Sequence, residues 1–208
     1  PGNKTESKTS PVAVPVPSLD QSPKLAVSNP LWKGKLRVAS ISEETPTVKT
    51  FKLVSPDGND LPFTYLAGQF MTLSVVIDGK PIKRAYTIAS HPCDKKMLEI
   101  TIKREENGLV SRYMHDVLHE NDLIDLEAAT GKLTFSGVTG EGIVLIGGGV
   151  GITPLMSVLR CLISCGMKNE IHLLYACKSL SEFVYHEELR QLQARNSNLK
   201  LLVAVEKL

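Results

Sequence analysis

A run of glycines in the second half of the chain has the composition of a phosphate-binding turn. Gly147-Gly148-Gly149-Val150-Gly151-Ile152-Thr153-Pro154 follows an apolar segment and precedes a helical pattern. Glycine lets backbone N–H groups approach a pyrophosphate closely, and the positive end of the next helix favours its charge. No GK[ST] is present, which argues against the phosphate loop of a nucleoside triphosphatase. The run predicts a nucleotide site, with a tight turn that binds nothing as the alternative.

A second cluster, Arg84-Ala85-Tyr86-Thr87, lies on a predicted strand. Strand alternation puts Arg84 and Tyr86 on one face and Thr87 on the other. Arg84 has the geometry to pair with a phosphate, Tyr86 to lie against a ring or sugar, and Thr87 to bond a ring nitrogen. Taken alone, the cluster is more typical of an ordinary surface pair on a strand.

A third cluster runs from Lys103 to Ser111, ending a strand, turning through Gly108 and opening a helix. Serine is suited to cap a helix, so we expect Ser111 to mark the helix start and its N-terminus to face a diphosphate. The alternative is an ordinary capped helix in which Lys103 and Arg104 are only solvated.

Short β-rich segments must position the second and third clusters. We predict strands at 35–41, 48–54, 69–77, 83–89, 97–103 and 123–128, with a short helix at about 111–118. Turn formers such as Pro56-Asp57-Gly58-Asn59 separate the segments. The regular spacing predicts a small antiparallel barrel.

Alternating strand and helix patterns surround the glycine-rich run. Strands at 143–146, 171–176 and 199–205 alternate with helices at about 154–165 and 186–195. This alternation is typical of a parallel, helix-covered α/β sheet. We therefore expect a linker at 1–31, which contains six prolines, a barrel domain at 32–137, and an α/β nucleotide-binding domain at 138–208 that is incomplete.

Composition excludes several classes of function. With 24 basic and 22 acidic residues and a formal net charge of +2, the chain has no general field that would gather nucleic acid. No apolar run approaches the roughly 18 to 20 residues that cross a bilayer. The four cysteines form no CxxC pair, so we predict no metal site, plain buried thiols at Cys161 and Cys165, and a cytoplasmic location.

In this order, the motifs resemble the ferredoxin–NADP reductase superfamily, which includes flavohaemoglobin reductase modules, cytochrome b5 reductases and the reductase components of bacterial oxygenases. The resemblance covers about 33–206 and also rests on Ala67-Gly68-Gln69-Phe70 and Gly131-Lys132-Leu133. The segment 102–111 is especially like that of flavohaemoglobin-type reductases.

The resemblance implies an FAD-dependent oxidoreductase that passes electrons from NADH or NADPH through FAD to a haem, iron–sulfur or oxygenase partner. It implies that Arg84 binds the FAD pyrophosphate, Tyr86 contacts the flavin and ribityl region, and Thr87 orients the flavin near N5 as the catalytic positioning group. The other cofactor-binding residues that it implies are Ile102, Lys103, Gly108, Leu109, Val110, Ser111, Gly148, Gly149, Val150, Gly151, Thr153 and Lys178. Within that set, Gly108 to Ser111 are expected at an FAD phosphate, Gly148 to Thr153 at the NAD(P)H pyrophosphate, and Tyr175 to Lys178 near its adenosine.

One departure from the family leaves alternatives open. The family's CGP motif and its C-terminal residues do not occur before Leu208, which puts efficient hydride transfer by this chain in question. The segment that distinguishes NADH from NADPH is largely missing too. The alternative function is therefore a non-catalytic FAD- and nucleotide-binding relay module within a larger assembly. A scaffold without any cofactor would require all three phosphate-binding clusters to be fortuitous.

Overall fold

The computed structural model describes residues 31–135, 137 and 140–207. Its strands are β1 (Trp32–Thr45), β2 (Val48–Val54), β3 (Phe70–Ile77), β4 (Lys80–Thr87), β5 (Met97–Lys103), β6 (Leu123–Thr130), β7 (Gly142–Gly148), β8 (Glu170–Cys177) and β9 (Leu199–Val205). Its α-helices are α1 (Leu109–Asp116), α2 (Thr153–Ser164) and α3 (His186–Arg195).

The first six strands form one antiparallel sheet in the order β4-β3-β6-β1-β2-β5. The sheet curls so that its two end strands meet, and an isolated bridge between Ile88 and Ile100 joins them. Alternate residues of β3 point into the core, with Met71, Leu73 and Val75 all buried. The predicted antiparallel barrel is confirmed as this curled half-barrel, and a gap between β4 and β5 remains beyond the bridge.

The last three strands form a parallel sheet in the order β7-β8-β9, which confirms the predicted α/β arrangement. Helices α2 and α3 contribute Met156, Leu159 and Leu189 to the core against this sheet. Barrel-side residues join the same core, namely Val48, Ala67 and Ala89. The two sheets are therefore packed on one another through shared apolar side chains.

Each predicted element is present, several with changed bounds. Helix α1 begins at Leu109, two residues before the predicted start, and β4 ends at Thr87 rather than at 89. Of the predicted linker, residues 1–30 lie outside the described residues, and the domain boundaries stay a prediction. Within the described ranges, no helix is long and apolar enough to cross a membrane.

Candidate functional site

A cavity of about 620 Å³ lies where the half-barrel meets the parallel sheet, and we call it the seam cavity. It occupies the gap between β4 and β5, beyond the bridge that joins them. The first turn of α1 and the glycine-rich turn border its other sides. Its lining residues are Arg84, Ala85, Tyr86, Thr87, Thr101, Ile102, Lys103, Glu105, Asn107, Gly108, Leu109, Val110, Ser111, Val150, Gly151, Thr153 and Pro154.

The structure brings the three predicted clusters together at this cavity. Arg84, Tyr86 and Thr87 all border it, although strand alternation predicts opposite faces for Tyr86 and Thr87. The difference arises because Thr87 is the last residue of β4 and directly precedes the residue that bridges to β5. The other predicted residues on its wall are Ile102, Lys103, Gly108, Leu109, Val110, Ser111, Val150, Gly151 and Thr153.

The cationic residues of the second and third clusters differ in their surroundings. The Arg84 guanidinium is exposed, and it donates to the backbone carbonyl of Lys83 at 2.7 Å. Arg104, in contrast, donates to both carboxylate oxygens of Asp116, at 2.9 and 2.7 Å. Lys103 lines the cavity while Arg104 is committed to that ion pair. Arg84 and Lys103 are therefore the basic side chains placed to meet an anion there.

The start of α1 differs from the prediction in its capping residue. Gly108 occupies the N-cap, and Ser111 lies inside the first turn. The Ser111 hydroxyl donates to the Gly108 carbonyl at 3.2 Å and accepts from the Glu105 backbone N–H at 3.2 Å. A Cβ at position 108 would collide with that hydroxyl. Ser111 thus fixes the loop before the helix, and the N-cap prediction for it is wrong.

The glycine-rich turn begins where β7 ends. Gly149–Ile152 forms a 3₁₀ turn, and α2 follows with Pro154 at its start, as predicted. Gly149 has φ of +50°, a left-handed conformation that favours glycine. A Cβ at Gly149 or Gly151 would meet nothing within 4 Å, so the backbone is open to solvent there. This exposes peptide groups at the start of α2, which is where an anion binds favourably.

The Tyr175 side chain supports the glycine-rich turn through hydrogen bonds. Its ring is buried, and its hydroxyl donates to the Gly149 carbonyl at 3.2 Å while accepting from the Val184 N–H at 3.3 Å. Burial raises the pKa of Tyr175, so the hydroxyl remains a neutral donor. The expectation that Tyr175 approaches a nucleotide directly finds no support in this geometry, since the residue supports the turn instead.

A second cavity, of about 410 Å³, lies on the other side of the glycine-rich turn, and we call it the turn cavity. It contains the predicted residues Gly149, Val150 and Lys178, whereas Gly148 lines neither cavity. Its full lining is Thr45, Thr47, Val48, Lys103, Gly149, Val150, Ala176, Cys177, Lys178, Glu182, Val184, Ala204, Val205 and Glu206. Lys103 and Val150 line both cavities, so occupants of the two would lie side by side.

Arg160 on α2 connects the two sheets beside the cavities. It donates to Glu99 on β5 at 2.9 Å, to the Ala89 carbonyl at 2.9 Å, and to Glu188 on α3 at 2.7 and 2.6 Å. Its guanidinium also lies 5.2 Å from the centre of the Tyr185 ring. Burial alone would lower the pKa of Arg160, but Glu188 and then Glu99 outweigh it and hold that pKa above its usual value.

A buried hydrogen-bonded chain crosses the same interface. The Tyr185 hydroxyl donates to Thr101 Oγ1, Thr101 Oγ1 lies 2.7 Å from Thr50 Oγ1, and Thr50 Oγ1 donates to Glu44 at 2.7 Å. Glu44 also accepts a hydrogen bond from the Tyr185 backbone. Burial nonetheless raises the pKa of Glu44. Because Thr101 borders the seam cavity, this chain anchors part of the cavity wall.

Sequence reasoning missed several of these residues. Thr101 shares a strand face with Lys103, which was the one readable signal for it. Arg160 lies in an ordinary helical pattern and Tyr185 directly precedes another, and their partners Glu99 and Thr101 are 61 and 84 positions away. Neither has a local sequence signature of its position between the sheets.

The residues of the seam cavity suit a dinucleotide with an aromatic ring system. Arg84, Lys103 and the start of α1 supply positive charge for phosphates. Tyr86 supplies a partly buried aromatic surface, and burial raises the pKa of its hydroxyl. The open peptide groups at Gly149 and Gly151 add a second anion-binding turn between the two cavities. Among the described residues, no group of three or more His, Cys, Asp or Glu side chains has the arrangement of a metal site.

Comparison with protein families divides the chain in the same way as its two sheets. Residues 35–135 match the oxidoreductase FAD-binding domain, and residues 145–207 match the oxidoreductase NAD-binding domain. The chain is 31% identical over 172 residues to the glycine betaine monooxygenase reductase subunit of Pseudomonas aeruginosa (strain UCBPP-PA14), covering 83% of this chain and 46% of that protein. It is 34% identical to the flavohemoprotein of Halalkalibacterium halodurans, covering 79% of this chain and 41% of that protein.

Solved structures share the fold. The FAD/NAD-binding domain of nitric oxide dioxygenase from Vibrio cholerae O1 biovar El Tor superposes with a TM-score of 0.74 at 28% identity, over 82% of this chain and 72% of that one. Phthalate dioxygenase reductase gives a TM-score of 0.71 at 25% identity, over 81% of this chain and 51% of that one.

The chain spans a little under half the length of the curated relatives that it matches. The two family matches, the fold and the meeting of the motifs at one pair of cavities agree with one another. The chain belongs to the ferredoxin–NADP reductase superfamily and comprises an FAD-binding half-barrel and an NAD-binding α/β unit of a reductase module.

Proposed function

We propose that this chain carries electrons from NADH or NADPH to FAD and onward to a haem, iron–sulfur or oxygenase partner. The observation that carries the proposal is the junction of the two cavities at Lys103 and Val150. An FAD in the seam cavity and a nicotinamide nucleotide in the turn cavity would be neighbours across these two residues. Such proximity is the main contribution that a protein makes to hydride transfer between cofactors.

The seam cavity is the proposed FAD site. Arg84 binds the pyrophosphate through its guanidinium, and the N–H groups from Gly108 to Ser111 bind phosphate at the start of α1. Tyr86 packs against the flavin and its ribityl chain. Thr87 hydrogen-bonds the flavin near N5 and thereby orients it. When bound, FAD supplies the two-electron to one-electron conversion, and the side chains hold it in position.

The turn cavity is the proposed NAD(P)H site. The N–H groups from Gly149 to Thr153 receive the pyrophosphate at the start of α2. Gly149 and Val150 line the turn cavity and Gly151 and Thr153 line the adjoining seam cavity, so the pyrophosphate would lie at the junction of the two. Lys178 and the neighbouring Ala176 and Cys177 lie on the wall where the adenosine would bind. Gly148 ends β7 and lines neither cavity. Its proposed role is to set the backbone conformation that leads into the glycine-rich turn.

The proposed class of electron acceptor comes from the proteins to which this chain is similar. One is a reductase subunit of a monooxygenase, another is a flavohemoprotein, and the structure of phthalate dioxygenase reductase is described as transferring electrons from pyridine nucleotides to [2Fe-2S]. We extend to this chain an acceptor of the same class, a haem, an iron–sulfur cluster or an oxygenase component. The four free cysteines suit a reducing compartment and support a cytoplasmic location.

Titration with FAD tests the proposed flavin site. The purified chain is freed of small molecules and titrated with FAD, and quenching of the flavin fluorescence is followed. We expect saturable binding at one FAD per chain, with little competition from riboflavin, because phosphate contacts contribute much of the affinity. Equal affinity for riboflavin and FAD would contradict the assignment of Arg84 and α1 to the pyrophosphate.

A further inference from the structure

Three cysteine thiols meet where the half-barrel packs on the parallel sheet. Cys93 lies on the loop between β4 and β5, Cys161 is on α2, and Cys165 is its C-terminal cap. The thiol of Cys165 lies within interaction range of the thiols of both Cys93 and Cys161, and these neighbours contribute to raising the pKa of Cys93 and of Cys161. A thiol on the barrel-side loop and a thiol at the end of α2 are therefore neighbours. The fourth cysteine, Cys177, is on β8 in the wall of the turn cavity.

Contacts of neighbouring residues hold the loop that carries Cys93 against α2. The Ser157 hydroxyl on α2 donates to the Ser90 carbonyl at 2.7 Å, and Arg160 donates to the Ala89 carbonyl at 2.9 Å. Ser157, Cys161 and Cys165 are spaced by four residues, so they lie on one face of the helix. This face of α2 therefore packs along the loop that runs from Ala89 to Cys93.

Exposure distinguishes the members of the cluster. Cys93 and Cys165 are exposed, whereas Cys161 is buried with 9% relative exposure. The predicted buried thiol is thus confirmed for Cys161 and wrong for Cys165, because Cys165 caps the helix at the surface. A small reagent in solution can reach both members of the Cys93–Cys165 pair.

We propose that Cys93 and Cys165 form an oxidation site at which a small disulfide, of the class of oxidised glutathione, introduces a disulfide bond between the two domains. In the first step one cysteine thiolate attacks the reagent, forms a mixed disulfide and releases one reagent thiol. In the second step the other thiolate attacks the protein-bound sulfur and releases the second reagent thiol. The protein loses two electrons and two protons, and the reagent gains them.

The bond would join the barrel to the helix that carries the glycine-rich turn. Helix α2 begins at Thr153 beside the seam cavity and ends next to Cys165. A link from position 93 to position 165 closes a loop of roughly 70 residues and constrains the unfolded chain. It therefore stabilises the packing of one domain on the other. The inference does not depend on the proposed electron transfer, because neither thiol belongs to the described cavity walls.

The test uses the whole chain with oxidised glutathione at about pH 8.5, since burial raises the pKa of Cys93 and alkaline pH populates its thiolate. Remaining thiols are alkylated in denaturant, and peptides are mapped by mass spectrometry without reduction. We expect one linked peptide pair containing Cys93 and Cys165, with Cys161 and Cys177 alkylated. We also expect the Tm to rise by at least about 5 °C and to return on reduction.

Serine variants supply the controls. Cys93→Ser and Cys165→Ser should each abolish both the linked peptide and the rise in Tm, whereas Cys177→Ser should retain both. A stable glutathione adduct without the link would overturn the proposal, as would a link between Cys161 and Cys165. Each readout is independent of flavin reduction, so this result and that of the reductase test are separable.

Discussion

The guanidinium of Arg160 and the carboxylate of Glu99 form a 2.9 Å ion pair between α2 and β5, and both side chains are largely buried. The same guanidinium binds Glu188 at 2.6 Å, so one cation on α2 pairs with two carboxylates, one from β5 and one from α3. The pair lies beside the cavity wall at Thr101. It links the element that carries the glycine-rich turn to a strand that borders the seam cavity.

Arg160→Ala should lower the free energy of unfolding by about 3 kcal/mol, because removing one partner leaves two carboxylates poorly compensated. Urea unfolding of the variant and the parent measures this. Arg190→Ala is the matched control, since Arg190 pairs with Glu187 on the exposed surface of α3. That control should change stability by no more than about 0.5 kcal/mol. Similar values for the two variants would contradict a role for Arg160 between the domains.

Local sequence signals were sufficient for the glycine-rich turn and for most strand positions. Gly149 and Pro154 each perform the backbone role that their residue types indicate, and β2, β5, α3 and β9 match their predicted bounds. The Ser111 prediction failed because serine and glycine both suit an N-cap, and the fold uses Gly108 for it.

The contacts between the domains were not predictable from local pattern. Arg160 and Tyr185 meet their partners only after the two sheets pack together, and nothing in the neighbouring residues specifies that packing. The same reason explains Cys93 and Cys165, which are far apart in sequence. Composition alone could not identify a pair of thiols that only the tertiary fold assembles.

Glu44→Gln should alter how stability depends on pH. Burial raises the pKa of Glu44 above 4.5, so between 4.5 and that raised value the folded chain holds a proton that the unfolded chain has lost. The contribution of Glu44 to the free energy of unfolding is therefore fully present below pH 4.5, and it is lost as the pH rises through the raised pKa of the folded chain. Glutamine keeps an acceptor for Thr50 without ionising.

Thermal unfolding between about pH 4 and pH 8 tests this expectation. The variant should match the parent at the acid end and exceed its Tm above the raised pKa. Glu43→Gln, at the neighbouring exposed position, serves as the control and should follow the parent curve. Parallel curves for Glu44→Gln and the parent would show that Glu44 titrates alike in the folded and unfolded chains.

Arg84→Ala should weaken FAD binding by about 10- to 100-fold, which corresponds to the loss of a charge-assisted phosphate contact of roughly 1.5 to 3 kcal/mol. Fluorescence titration with FAD gives the dissociation constant. Lys80→Ala, on the same strand but outside the seam cavity, should leave it unchanged. If the two variants bind FAD equally well, Arg84 does not hold the pyrophosphate.

Thr87→Ala should retain FAD but slow its reduction by about tenfold, because the hydroxyl orients the flavin and does not contribute its main binding contacts. Stopped-flow absorbance at saturating nucleotide measures the rate. Thr87→Ser keeps a hydroxyl at the same position and should restore most of the rate. An unchanged rate in Thr87→Ala would remove the orienting role.

Anaerobic reduction of the FAD-loaded chain tests the proposed electron transfer most directly. The visible flavin bands are recorded before and after addition of NADH, and separately of NADPH. We predict that at least one nucleotide bleaches the bands, which would also identify the donor. Bands that persist with both nucleotides would contradict electron transfer by this chain and favour a non-catalytic relay module that binds FAD.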